Sequence, residues 1–364
     1  MATADHAWRA GSELDADLGL DILDTVIGRG LARSAYADVT VHTSHALDIC
    51  RRMPPKPEAL ERQAKLWLNL AGMRSILHGQ SSGLVNEALQ RAFEIGEKAG
   101  GRNFHATVAL QSMTLCGLGR IDEAQALSRG LNKEYIASRD PDVGVAAHFV
   151  DVMIHGLRAD LDAQDATARR LLALFPPPDE VVDPLRFFHP RVHCWIAIGQ
   201  ALRGDRDTAH EHCRIALDLA QVRGDLFNVL AAKLGMVEID AILGIVDGTG
   251  AAADSVHAEM SAAGAHQWAA CAAMVSVWAR TLAGEEVDPD RATEAFGTYT
   301  SDGSSVMTPF FLALLADIER HHGRSQNAHD LLIRARTVGR TSGERVWEDQ
   351  LALRLAELAD TAQP

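Results

Sequence analysis

Aromatic and β-branched runs are scarce in this sequence. Phe, Trp and Tyr make up only 5% of its 364 residues, and Tyr occurs three times. Strands are built from such runs, so their scarcity argues against a sheet protein. There is no CxxC pair, and the five cysteines (Cys50, Cys116, Cys194, Cys213 and Cys271) are scattered and odd in number. That pattern argues against a disulfide framework and reads as buried thiols in a reducing compartment. No apolar run is long enough to cross a bilayer. The opening MATADHAWRAGSELDADLGL is acidic and lacks the apolar stretch of a signal peptide. A cytoplasmic location is expected, with no membrane contact. Basic residues are outnumbered, 35 Lys+Arg against 49 Asp+Glu for a net charge of −14, so no basic stripe offers itself to nucleic acid. GxxxxGK[ST] and HExxH are both missing. Gly248-Thr249-Gly250 lacks the third glycine and the strand context of a dinucleotide turn, and reads as an inter-helix loop. Spacing brings no nucleophile and base together. The chain is expected to be no enzyme and to need no cofactor.

Helix formers and regularly spaced breakers fill the rest. Gly119-Arg120…Ala124, Gly204-Asp205…Ala209 and Gly323-Arg324…Ala328 share a glycine, then a charged residue, then an alanine five places after the glycine. The glycine can end one helix in a left-handed conformation, and the alanine lets the next pack closely. A second set of breakers falls about every forty residues: Gly101, Asp140-Pro141, Asp183-Pro184, Gly224, Gly264, Gly303 and Gly343. Two interleaved sets with one period indicate stacked helix pairs. The spacing predicts eight pairs, over 16–53, 56–99, 103–137, 143–175, 185–222, 226–263, 266–299 and 306–341, and a capping helix over 345–360. Between breakers the apolar residues keep helical spacing: Ile215, Leu219 and Val222 share a face, as do Leu312, Leu315 and Ile318. Residues 1–15 are expected to be disordered. Pro176–Pro178, the Gly248–Gly250 loop and the loop around Gly297–Ser305 are the irregular points. None reads as a linker, so residues 1–364 are taken as one continuous domain.

Two stretches carry a family resemblance. RGLARSAYADVTVHTSHALDICRRMP (29–54) resembles the start, and FLALLADIERHHGRSQNAHDLLIRARTVGRTSGERVWEDQLALRLAEL (311–358) the closing repeats, of a known helical region. It lies C-terminal to the ATPase module of bacterial signalling proteins, which often also carry adenylyl-cyclase-like or LuxR-type DNA-binding domains. The Thr-Gly-Glu-Arg-x-Trp-Glu signature falls at 341–348, interrupted by Ser342. The resemblance implies an all-α fold: a tetratricopeptide-like, right-handed superhelical solenoid of about eight antiparallel helix pairs plus the capping helix. It also implies a regulatory role in signalling or transcription. This sequence contains no ATPase, cyclase or DNA-binding module.

The candidate binding residues are polar or aromatic side chains on first-of-pair helices, which line the concave face of such a solenoid. His148, Asp151 and His155 fall at i, i+3 and i+7, on one helical stripe. That stripe could hold a metal, but a solvated or hydrogen-bonded polar face is the favoured reading, so no metal is assigned. Phe188, His189, Arg191, His193 and Trp195 form a dense cluster; rings and a guanidinium suit a planar or acidic ligand, and inter-repeat packing is the plainer alternative. Trp268 and Trp278 are ten apart and could line the groove. The expected function is a non-catalytic interaction scaffold whose groove binds a protein partner or peptide segment, such as a linked or separate ATPase. The alternative is a sensor holding a small-molecule effector in an aromatic-lined pocket. An enclosed pocket, as against an open polar groove, would distinguish the second from the first.

Overall fold

In a computed structural model, which describes residues 8–9, 15–99, 101–176 and 187–361, those residues form helices joined by short turns, with no strand among them. Antiparallel pairs follow one another: α1 (Ala16–Ala32) with α2 (Tyr36–Cys50), α3 (Pro57–His78) with α4 (Gly83–Ala99), α5 (Arg102–Gly117) with α6 (Ile121–Ser138), and α7 (Pro141–Leu157) with α8 (Leu161–Leu172). The series continues with α9 (Phe188–Leu202) and α10 (Arg206–Val222), α11 (Leu226–Ile242) and α12 (Thr249–Ala262), α13 (His266–Leu282) and α14 (Asp290–Thr300), then α15 (Thr308–His321) and α16 (Ser325–Ser342). A final helix, α17 (Glu348–Thr361), caps the array. The expected eight pairs and cap are all present.

The breakers act as their chemistry requires. Gly119, Gly204 and Gly323 turn the chain with φ of 72°, 79° and 74°, a region that costs an ordinary L-residue about 1–2 kcal/mol. Ala124, Ala209 and Ala328 are wholly buried where the next helix crosses. Asp160, Asp205 and Asp225 each accept a backbone N–H three residues on, at the starts of α8, α10 and α11. In the α7–α8 turn the left-handed residue is Ala159, φ 64°, and in the α1–α2 turn it is Ser34, φ 55°, where the other pairs use glycine.

Three local expectations are corrected. Gly248–Gly250 is no loop: Gly248 is the left-handed residue before α12, and Thr249 and Gly250 form its first turn. Gly297 lies inside α14, so the irregular segment narrows to 301–307. In α10 the buried face is Ala209, Cys213, Ala216 and Ala220, whereas Val222 is 81% exposed. Outer helices approach closely through small residues, which leaves the larger ones at the fringe. Asp183-Pro184, two of the three prolines at 176–178 and nearly all of 1–15 lie outside the described residues.

First helices pack in succession, α3 on α5, α7, α9, α11, α13 and α15, and make an inner wall; the second helices lie outside it. The wall returns on itself, for α13 touches α3. The Trp268 indole donates to the Ser75 carbonyl at 3.3 Å, and the Ser81 N–H donates to Asp302 at 3.0 Å. The loop after α14 sends the Ser305 and Val306 N–H groups to the Gly117 carbonyl, at 2.7 and 3.1 Å. The loop after α16 sends those of Arg345 and Val346 to the Leu157 carbonyl, at 2.8 and 3.2 Å. Carbonyls at a helix C-terminus lack intrahelical donors. Here the C-terminal repeats supply them across the superhelix.

The closing signature has a physical role in this seam. Gly343 ends α16 in a left-handed turn, φ 80°. The buried Glu344 carboxylate accepts the Met307 N–H at 3.0 Å and the Trp347 indole N–H at 2.6 Å. Trp347 stacks on Phe310 at 5.1 Å between centroids. Arg354 of the cap bonds both oxygens of buried Asp317, which also accepts the Trp278 indole N–H at 3.2 Å.

Candidate functional site

Closure narrows the concave face to a partly open cavity of about 130 Å³. Its walls follow helical spacing. From α9 come Arg191, Cys194, Trp195 and Ile198; from α11 come Ala231, Leu234, Gly235 and Glu238; from α13 come Gln267, Trp268 and Cys271. The α9 and α11 sets fall at i, i+3, i+4, i+7 and the α13 set at i, i+1, i+4, each one stripe of a helix aimed at the axis. Met113, Met153 and Phe311 extend the apolar lining, and Ser81 and Ser304 add hydroxyls where the superhelix closes.

Arg191 and Glu238 set the electrostatics. The Arg191 guanidinium lies over the rings of Phe187, Phe227 and Trp268, at 5.0, 5.1 and 5.4 Å from their centroids. Its Nε donates to Asn228 Oδ1 at 3.0 Å, and Asn228 Nδ2 donates in turn to Asp225 at 2.7 Å. The aromatic faces stabilise the cation where water cannot. Glu238 has no hydrogen-bond partner among the described residues, and burial alone pushes its carboxyl up to about 8. Both side chains are surrounded by protein; the surface they keep is cavity wall. Burial also pushes the Cys194 thiol up to about 11 and Cys271 well above its ordinary value. All five cysteines are free thiols; four are buried, and Cys194 is half-buried against the cavity.

Of the ten residues singled out in the sequence, the structure brings Arg191, Trp195 and Trp268 together on the cavity. The other seven lie elsewhere. Asp151 faces the preceding outer helix, accepting from Ser128 at 2.5 Å and from Asn132 at 2.9 Å. His148 packs edge-on against Tyr135, and His155 is 3.9 Å from Asp160. Phe188 is core, against Phe149. His189 stacks on Phe175, and His193 shares a contact of 2.9 Å with His212. Trp278 is buried on Asp317. The described residues contain no group of three or more His, Cys, Asp or Glu placed to hold a metal.

Sequence reasoning missed Glu238, Gln267 and Tyr299. Gln267 donates to the Tyr299 carbonyl at 2.8 Å, and Tyr299 donates to the Val306 carbonyl. It also missed Gly79-Gln80-Ser81-Ser82-Gly83, which has the G-x-S-x-G spacing of a nucleophile elbow. That motif works at a strand-to-helix turn with a histidine in reach. Here it joins two helices, and the Ser81 hydroxyl accepts from Ser304 at 3.1 Å. The segment belongs to the closing seam.

No family model matches the sequence, and no curated protein matches it either. Among solved structures the chain is similar to a Rap protein complexed with competence and sporulation factor. The TM-score is 0.55 at 11% identity, covering 94% of this chain and 99% of that one. It is less similar to aspartyl phosphate phosphatase F from Bacillus subtilis, with TM-score 0.46, 11% identity, and coverage of 95% and 94%. A signal transduction ATPase with a tetratricopeptide repeat sensor from Pyrococcus horikoshii gives 0.44 at 10% identity, covering 93% of this chain and 55% of that one. The fold is that of tetratricopeptide-like repeats. At such identity the likeness is one of architecture. No helix among the described residues is long and apolar enough to cross a membrane.

Proposed function

We propose that this chain is a non-catalytic regulatory repeat scaffold that binds a small effector in its interior cavity. The observation that carries this reading is the seam. Loops 301–306 and 343–346 bond across to α5 and α7, and the concave face they narrow is an aromatic-lined cavity of a size that suits a small ligand. An effector touching α9, α11 and α13 would stiffen the wall that the seam holds together, and only a ligand with different affinity for the closed and open states can shift that equilibrium. The family resemblance at 29–54 and 311–358 supports a place in bacterial signalling beside an ATPase or a transcriptional output. A second reading places a protein or peptide segment in the concave groove. The Rap protein's complex with competence and sporulation factor supports it.

Thermal-shift screening of a small-molecule library against wild type and Ala231→Phe tests the first reading. Ala231 lines the cavity, and a phenyl ring there would occupy it. Stabilising compounds should lose their effect in the variant. Stabilisation retained in full by a folded Ala231→Phe protein would place the binding elsewhere and overturn the reading.

A further inference from the structure

On the reading that the cavity takes a ligand, its two ionisable side chains specify the ligand's chemistry. We infer that the cavity selects an elongated, amphipathic carboxylate, with its anionic head on the Arg191 guanidinium, its apolar body along α11, and its far end beside Glu238.

Three observations lead there. First, Arg191 spends only Nε on the protein; its two terminal nitrogens have no hydrogen-bond partner among the described residues, and the side chain lines the cavity. Those nitrogens form the fork that binds a carboxylate with two parallel bonds. The acid nearest in effect, Asp225, is engaged by Asn228 and by the start of α11. A buried cation without a bonded anion is an unfavourable arrangement, which a bound anion would relieve. Second, Asn228 marks the Arg191 end of α11, and Glu238 lies ten residues further along, about 15 Å of helix rise. A ligand that reaches both is therefore long. Third, the wall between them is apolar: Ala231, Leu234 and Gly235, with Ile198 and Met153 nearby. A second charge in mid-chain would be stranded there.

The charge balance agrees. Burial, with Glu238 adding to it, raises the neighbouring Cys194, Cys213, Cys271 and Tyr299, so these four stay neutral. With Glu238 itself protonated near pH 7, the cavity holds one net positive charge. A monoanion neutralises it. When Glu238 ionises above about 8, the cavity becomes neutral overall and its hold on an anion weakens.

The test titrates the full chain with octanoate, octan-1-ol and 8-aminooctanoate as probes, by calorimetry and thermal shift, between pH 6.5 and 9. Octanoate should bind at least about tenfold tighter than octanol. Its affinity should fall as pH passes 8, whereas that of 8-aminooctanoate, whose ammonium can pair with ionised Glu238, should not. Arg191→Met, close in volume, should abolish the preference for octanoate. Should that variant fail to fold, Glu238→Gln decides: octanoate binding should persist and lose its alkaline decline. Octanol binding as tightly as octanoate would end the inference and leave the effector reading standing. Absence of binding by any probe would overturn the inference. A decline that persists in Glu238→Gln would also overturn it. The effector reading itself falls only on the library screen.

Discussion

Glu344 and Glu238 are both carboxyls enclosed by protein, and the two regions they occupy treat them in opposite ways. In the seam, Glu344 has its N–H donors built in: the Met307 amide and the Trp347 indole. Those bonds partly offset burial, and its carboxyl is pushed up to about 7. In the cavity Glu238 has none, and burial takes it to about 8. A buried polar group with its partners in place rigidifies a fold; one without partners lowers stability. The seam therefore reads as framework. The cavity keeps an acid with no hydrogen-bond partner among the described residues and an arginine bonded through Nε alone, a combination that stability alone does not explain.

The seam should respond most strongly to mutation. Trp347→Ala removes a fully buried indole and its bond to Glu344, and should destabilise the chain by about 3–5 kcal/mol, read from the denaturant midpoint. A loss below about 1 kcal/mol would mean that the seam is not framework.

The dependence on pH sharpens the contrast next. Burial lowers His189 and His193 to about 4 and about 3. Unfolded, they take up protons near 6.5, so stability falls with acid from pH 6.5 towards those folded values. Glu238 and Glu344 act in the opposite direction. Their unfolded carboxyls ionise from about 4.5, the folded ones only near 8 and 7, so stability falls as pH rises between those limits. Each group changes stability by about 1.4 kcal/mol per pH unit inside its window. The two sets offset one another between about 4.5 and 6.5, where melting temperature should be highest, with a decline on either side. Glu238→Gln should flatten the alkaline decline and raise the melting temperature at pH 8. A variant that melts lower than wild type at pH 8 would show Glu238 to be satisfied after all.

The smallest effect lies outside both regions. Ala159 occupies a left-handed turn position that most other pairs give to glycine. Ala159→Gly should stabilise by about 1 kcal/mol, with no change in octanoate affinity. A change in affinity would mean that the α7–α8 turn is coupled to the cavity.

The architecture was legible because its signals are local. A glycine with positive φ, or an aspartate three residues before a capped N–H, announces itself without knowledge of the rest of the fold. The site was only partly legible. Arg191, Trp195 and Trp268 stood out because rings and charge are rare in this chain. Direction was the difficulty. The inner helix α7 is buried from Val143 through Val150 and again through most residues to Leu157, so periodicity could not say which stripe faces the axis. Asp151 turned outward to α6, while Glu238, one of two acids in KLGMVEIDAI, turned inward. The seam was invisible for another reason: Gly117 with Ser305, and Leu157 with Arg345, are joined by backbone groups that every sequence possesses.

Hydrogen exchange at the amides of Ser305, Val306, Arg345 and Val346 tests the closed interior most directly. Exposed loop amides open at little free-energy cost and exchange readily, whereas amides bonded within a cooperative unit are protected up to the global stability. If the seam closes the superhelix, these four amides should exchange orders of magnitude more slowly than free loop amides, and Trp347→Ala should release them together. Rapid exchange at all four in the wild-type protein would mean an open groove, and the interior cavity would lose its basis.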